Sequence, residues 1–170
     1  MSVRLRPSTP ADLAFVTTLE RDPENRPIIG QWSDEEHLAA MRGEGGRWHS
    51  IIERDGAPAG YMIAYDCRAA TGSVYLKRVL VARKERGTGK AAVGLFVAET
   101  FRRLAPDFIW LNVYDSNARA QAVYRALGFR DFEPGEEEAC RLTAAAEAPA
   151  PEAHRMRIDR THANDREERP

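Results

Sequence analysis

The sequence predicts an α/β fold, a mixed sheet with helices on both faces, and three stretches carry that prediction. Val74 to Ala82 is apolar and β-branched, as a strand is. It runs through a charged, glycine-bearing turn (Arg83 to Gly89) into a segment where Val93, Phe96, Val97, Phe101 and Leu104 recur at helical spacing. Phe108 to Val113 and Asn117 to Leu127 repeat the strand-then-helix order. Trp48 to Arg54 and Pro58 to Asp66 form a hairpin pair around Asp55 and Gly56, a turn that favours positive φ.

The other elements follow in order. Ser2 to Arg6 alternates polar and apolar residues as a first strand. Thr9 can cap a helix with Pro10 in its first position, and Leu13, Phe15, Val16 and Leu19 give that helix a buried face to about Arg21. Asp22 to Trp32 is a loop broken by Pro23, Pro27 and Gly30; its apolar tip, Ile28, Ile29 and Trp32, is either packed down or a substrate wall. Ser33 and Glu36 make a capping box for a short helix through Met41. Gly128 sits where a left-handed cap closes the Asn117 helix, and Phe129 to Phe132 returns as a strand. The prolines and acids of 133–153 read as a linker or insert, the alternation of His154 to Asp159 as a last strand, within the chain or on a partner's sheet edge, and 160–170 as a disordered tail. The elements total seven strands and four helices.

Composition narrows the function. The chain has 170 residues, 43% apolar and 30% charged, as one soluble globular domain does. A formal charge of −1 gives no global case for nucleic acid or an anionic membrane. Cys67 and Cys140 match no metal or disulfide spacing, and no stretch approaches the length of a membrane span. The expectation is a cytoplasmic protein with no metal.

The turn from Arg83 to Gly89 is where chemistry is expected. Glycines let a backbone approach an anion, the first N–H groups of the following helix lack intrahelical partners, and Arg83, Lys84, Arg86 and Lys90 add charge. A Gly-x-Gly before a helix is also an ordinary turn. The spacing fits neither a Walker loop nor a dinucleotide fingerprint, whose third glycine falls on Ala92, although alanine is sometimes accepted there.

Two blocks resemble the Gcn5-related N-acetyltransferase (GNAT) superfamily over roughly Val3 to Phe132. Val79 to Lys90 is similar to its acetyl-CoA motif, and Leu111 to Phe129 is similar to its strand–Asn–helix–Tyr–Gly-Phe block. The resemblance implies a mixed, mostly antiparallel sheet of six or seven strands with about four helices, domain 1–132, and acetyl-CoA as cosubstrate. It implies that the backbone of Arg86, Gly87, Thr88, Gly89, Lys90 and Ala91 holds the pyrophosphate. Main-chain groups of Leu80 and Val81 would pair with the pantetheine arm and polarise the thioester carbonyl. Asn117 would bond the same arm, though it is also an ordinary helix cap. Tyr124, on nearly the same helix face, would protonate the departing thiolate, although a helix-stripe tyrosine is also core. The acceptor would be a primary amine of a small molecule or peptide, and relatives are often homodimers.

Two departures stand out. The motif's leading arginine or glutamine falls on Lys84, and a strand glutamate that takes the amine's proton in many relatives falls on Tyr75. Glu20, Asp22 and Glu24, or bulk water through a relay, are the alternatives for that proton. Asp22, Glu24, Asp34, Glu35 and Glu36 either attract a cationic amine or are a solvated helix start. Cys67 reads as packing rather than a nucleophile. A non-catalytic acyl-CoA sensor on the same fold is the competing reading, supported by Tyr75 and opposed by Asn117 and Tyr124. A dinucleotide-binding oxidoreductase finds an acid only at Asp107.

Overall fold

The computed structural model describes residues 1–68, 72–84, 87–145 and 152–160. Among these residues seven strands, numbered along the chain, hydrogen-bond in the order β1-β2-β3-β4-β5-β7-β6, and five α-helices accompany them. The chain divides into two compact units, Met1–Ala64 with Arg78–Phe96 and Tyr65–Lys77 with Val97–Pro170.

In the first unit β1 (Val3–Pro7) pairs antiparallel with β2 (Trp48–Arg54), and β2 with β3 (Ala57–Tyr65). The β2–β3 turn has Asp55 at φ 51° and Gly56 at φ 84°, the geometry that the Asp-Gly pair favours. A 3-10 turn at Pro10–Asp12 leads into α1 (Leu13–Arg21). Thr9 stands at the N-cap, in a capping box with Asp12, and the Asp12 carboxylate accepts from the Thr9 amide at 2.8 Å and from both ends of the Arg6 fork at 2.7 and 2.8 Å. This ties β1 to α1. α2 (Asp34–Met41) opens on the Ser33–Glu36 capping box, with both reciprocal bonds made. The second half of β4 (Ser73–Val81) and the first half of α3 (Thr88–Leu104) complete the unit. Its core holds Val16, Ile51, Ile52, Ile63, Val93 and Phe96.

In the second unit the start of β4 pairs parallel with β5 (Phe108–Tyr114), which pairs antiparallel with β7 (Ala153–Asp159); β7 also pairs with β6 (Arg130–Asp131). The alternating segment His154 to Asp159 therefore pairs within the chain. α4 (Ala118–Leu127) ends on Gly128 at φ 101°. Where composition suggests a linker, Glu136–Ala145 forms α5 and buries Leu142 against Tyr75, Trp110 and Phe132. The residues of α5 contain no proline, and three acids in its first turn suit the positive end of the helix dipole. The tail expected to be disordered lies outside the described residues except for Arg160.

Candidate functional site

β4 delivers Leu80 and Val81 to the turn before α3. Gly87 stands at φ 72°, in the left-handed region that glycine enters without strain. α3 begins at Thr88, and the Ala91 amide makes the first helical bond to Gly87 O at 3.0 Å. The amides of Thr88, Gly89 and Lys90 are thus the helix's orphan donors. A Cβ on Gly89 would stand in ordinary contact with Val81 Cγ1 at 3.9 Å, and one on Gly87 with Met1 Cε at 3.9 Å. Amides, glycines and dipole fit a phosphate group. Glu85 and Arg86, the latter a sequence candidate for the same cradle, lie outside the described residues.

The end of β4 is held from the side by Gly60 on β3, a residue that the sequence did not single out. A Cβ there would lie 2.3 Å from Leu80 O and 3.0 Å from Val81 Cα. Both are backbone atoms, so the strand itself would have to move. Gly60→Ala is expected to lower stability by about 1–3 kcal/mol, the usual cost of overpacking. Denaturant unfolding checks it; a variant that matches the parent would show that β4 yields without cost.

Behind β4 lies a buried polar chain. Glu20, at the end of α1, is 1% exposed; its Oε1 accepts from the Tyr61 hydroxyl at 2.5 Å and from the Arg78 guanidinium. His37 Nε2 stands 3.3 Å from the same oxygen, in reach but off the line of a good hydrogen bond. His37 Nδ1 meets His49 Nε2 at 3.2 Å, and His49 Nδ1 meets Ser8 Oγ at 2.7 Å. An ionised Glu20 assigns every proton. Nε2–H of His37 faces the carboxylate, Nε2–H of His49 donates to His37 Nδ1, and the Ser8 hydroxyl donates to His49 Nδ1. Burial raises the Glu20 carboxyl, but His37, Tyr61 and the charge of Arg78 outweigh it and bring it down to about 2.

His49 is lowered to about 4, first by burial and then by the charge His37 can carry. The unfolded imidazole takes a proton below about 6.5 while the folded one does not. Its contribution is therefore complete above that pH and is lost as pH falls to about 4. Unfolding free energy is expected to drop by on the order of 3 kcal/mol over that window beyond the loss shown by a His49→Gln variant. Urea titrations between pH 7 and pH 4 measure it, and parallel pH profiles for the two proteins would refute it.

The acceptor-side residues are largely engaged. Glu20 is locked to Arg78, Asp22 accepts the Glu24 amide at 2.8 Å, and Glu24 lies 3.4 Å from Lys84. Asp34 is 3.8 Å from Arg21, and Glu36 serves the capping box. Of the loop's apolar tip, Trp32 is packed down. Its ring lies 5.3 Å from His37, with the Arg47 and Arg78 guanidinium carbons 5.7 and 5.4 Å from its centroid, and its amide reaches Glu20 Oε2 at 3.3 Å. Ile28 remains exposed.

In the second unit Asn117 caps α4, its Oδ1 accepting the Ala120 amide at 3.1 Å. Tyr124 lies on that helix, half-buried, with its ring 5.7 Å from Phe129. Burial, then the charge Tyr75 can carry, pushes its phenol up to about 12. Tyr75 is buried and stacked on Trp110 at 4.3 Å, and its hydroxyl accepts from Asn112 Nδ2 at 3.2 Å. Cys67 is buried, its thiol 3.7 Å from Tyr65 O. Among the described residues no cluster of three His, Cys, Asp or Glu could hold a metal, and no helix is long and apolar enough to cross a membrane.

Residues 13–129 match the acetyltransferase (GNAT) family. The chain belongs to this family. Membership makes it an acyltransferase of the acetyl-CoA-dependent kind. Solved structures with the same fold include the aminoglycoside acetyltransferase AAC(6')-Ib with paromomycin and acetyl-CoA, at TM-score 0.77 and 20% identity, covering 99% of both chains. The same enzyme with ribostamycin and coenzyme A matches equally, with TM-score 0.77, 20% identity and 99% of both chains covered. A spermidine N-acetyltransferase chimera of Vibrio cholerae SpeG and hSSAT superposes at TM-score 0.74 and 18% identity, over 97% of this chain and 99% of the other. No curated protein sequence matches this GNAT chain.

Proposed function

We propose that this GNAT enzyme moves the acetyl group of acetyl-CoA onto a primary amine of a small molecule or peptide, by direct attack in a ternary complex. The observation that carries the reading is the left-handed glycine turn at Gly87, where β4 delivers its last residues to the orphan amides of α3. In this reading the backbone of Arg86 to Ala91 holds the pyrophosphate. Leu80 and Val81 align the pantetheine arm with Asn117, and a β4 amide polarises the thioester carbonyl. The amine, once deprotonated, forms the C–N bond as the C–S bond breaks. Tyr124 offers its O–H to the departing sulfur, whose proton follows from solvent, and the nitrogen loses one proton to water before the attack and a second after the C–N bond has formed. A relay to water fits better than a carboxylate base, because Glu20 is held ionised by Arg78 and Tyr75 is committed to Trp110 and Asn112. Family relatives of this fold that act on aminoglycosides and on spermidine support a small amine over a peptide.

That commitment of Tyr75 also favours the second reading, a non-catalytic acyl-CoA sensor. A calorimetric titration with acetyl-CoA, beside CoA, ATP and NADH, followed by an amine panel read by thiol release, tests both. Micromolar binding of acetyl-CoA that Gly87→Glu abolishes, with thiol released on adding an amine, is the expected result. Binding with no release for any amine would favour the sensor, and no binding by folded protein would overturn both.

A further inference from the structure

We propose that Gln121 is a positioning residue, one that fixes the turn carrying Asn117 and so sets the Asn117 amide for the pantetheine arm of the cosubstrate. The inference rests on the acetyl-CoA reading above. β5 ends at Tyr114, and Asp115, Ser116 and Asn117 turn the chain into α4. Asn117 stands at φ −91° and ψ 62°, neither helical nor extended. Gln121, one helical turn further on, reaches back across this turn. Its Nε2 donates to Tyr114 O at 3.1 Å and to Asp115 O at 3.0 Å, which uses both hydrogens of the amide. Carbonyl oxygens only accept, so the NH2 end of Gln121 is the end that faces them. The main chain closes the same loop. Gln121 N–H donates to Asn117 O at 3.1 Å, and Asn117 N–H donates to Tyr114 O at 2.9 Å.

The cap decides which end of Asn117 is left for a ligand. Its Oδ1 is spent on the Ala120 amide at 3.1 Å, so the end to spare is Nδ2, which only donates. The amide carbonyls of a pantetheine arm only accept, and the two match. A shift of the turn would carry that donor away from the arm while leaving the cap intact, so the clamp matters to binding. The turn is pinned from β7 as well. The Asp115 amide donates to Glu152 O at 2.8 Å, and Asp115 Oδ1 lies 2.6 Å from His154 Nδ1. Those bonds fix Asp115, whereas Gln121 ties the turn to the helix that Asn117 opens. Gln121 also has a purely structural bond. Its Oε1 accepts from Arg125 Nη1 at 3.2 Å, and Arg125 Nη2 meets Asp131 Oδ1 at 3.1 Å on β6. A glutamate at 121 separates the two roles. It keeps the size and the Arg125 partner, now as an ion pair four residues apart, but has no hydrogen for the two carbonyls.

The test is a double-variant cycle read by calorimetry of acetyl-CoA. It uses the full chain, Gln121→Glu, Asn117→Ser and the two changes together, with a melting temperature for each. Serine caps a helix about as well as asparagine and has no amide to offer the arm. Gln121→Glu is expected to melt with the parent, because the Arg125 partner is kept, and to bind acetyl-CoA about fivefold more weakly, the size of one neutral hydrogen bond. In the Asn117→Ser chain, where the donor is already gone, the same change is expected to cost less than about twofold. A residue that served only the stability of α4 would show no such dependence on Asn117. If Gln121→Glu melts below the parent, Gln121→Met takes its place in the cycle and is read in the same way. Parental affinity in either single variant, or losses that add in the double one, overturns the inference and leaves the acetyl-CoA reading intact. A parent chain that binds no acetyl-CoA overturns both.

Discussion

Glu20→Gln is expected to lower the unfolding free energy by about 3–5 kcal/mol, the cost of breaking a buried ion pair from one side. Glu20 and Arg78 are 1% and 6% exposed, and the carboxylate is the partner that balances the guanidinium there. Removing the charge leaves a cation with little water to solvate it and puts an NH2 group in place of one carboxylate oxygen, so that either the Tyr61 hydroxyl or the Trp32 amide loses its acceptor. Glutamine is nearly isosteric, so packing changes little and the measured loss reports charge and hydrogen bonding. The companion is Glu20→Gln with Arg78→Met, which removes both charges. If charge imbalance is the cause, the double variant is more stable than Glu20→Gln alone. Guanidinium unfolding of the three proteins decides it. A loss under about 1 kcal/mol in Glu20→Gln would mean that the pair is as weak as a surface one.

That network also shows what the sequence does and does not display. The features legible in it are local. Asp55 and Gly56 choose their own turn, Ser33 and Glu36 their own capping box, and Gly128 its own left-handed cap, because the bonds join residues a few positions apart. The glycine turn before α3 belongs to the same class, so the candidate cradle is legible in the order of its residues alone. Glu20 and Arg78 are 58 positions apart, and nothing in either neighbourhood marks them as partners. By its neighbours Glu20 reads instead as a candidate base on the loop side. Lys84 is a similar case: its motif position says phosphate, and only the folded loop turns it to Glu24. Gly60 carries no local signal because its constraint is the Leu80 carbonyl of another strand. α5 is hidden for a compositional reason, since the prolines at 149 and 151 colour a window in which the ten residues of the helix hold none.

Tyr124→Phe is expected to reduce kcat about 10- to 100-fold while acetyl-CoA affinity stays within twofold. The magnitude follows from the phenol's environment. Pushed up to about 12, Tyr124 remains protonated through the whole neutral range, so it can only donate. A thiol titrates near 8.5, which makes complete transfer of the phenolic proton to a free thiolate uphill by roughly 3.5 pKa units. What the phenol offers to a departing sulfur is then a strong hydrogen bond to developing charge, with the proton following from solvent. Hydrogen bonds to charged groups contribute about 1.5–3 kcal/mol, and each 1.36 kcal/mol is tenfold in rate. The effect belongs in kcat because the charge exists only as the C–S bond breaks. Steady-state kinetics over pH 6–10, beside calorimetric titration of acetyl-CoA, separates the alternatives. A donor that stays protonated gives no falling limb of its own below about pH 10, so any limb seen there must persist in the phenylalanine variant. A kcat within twofold of the parent would remove Tyr124 from the chemistry and return it to packing against Phe129.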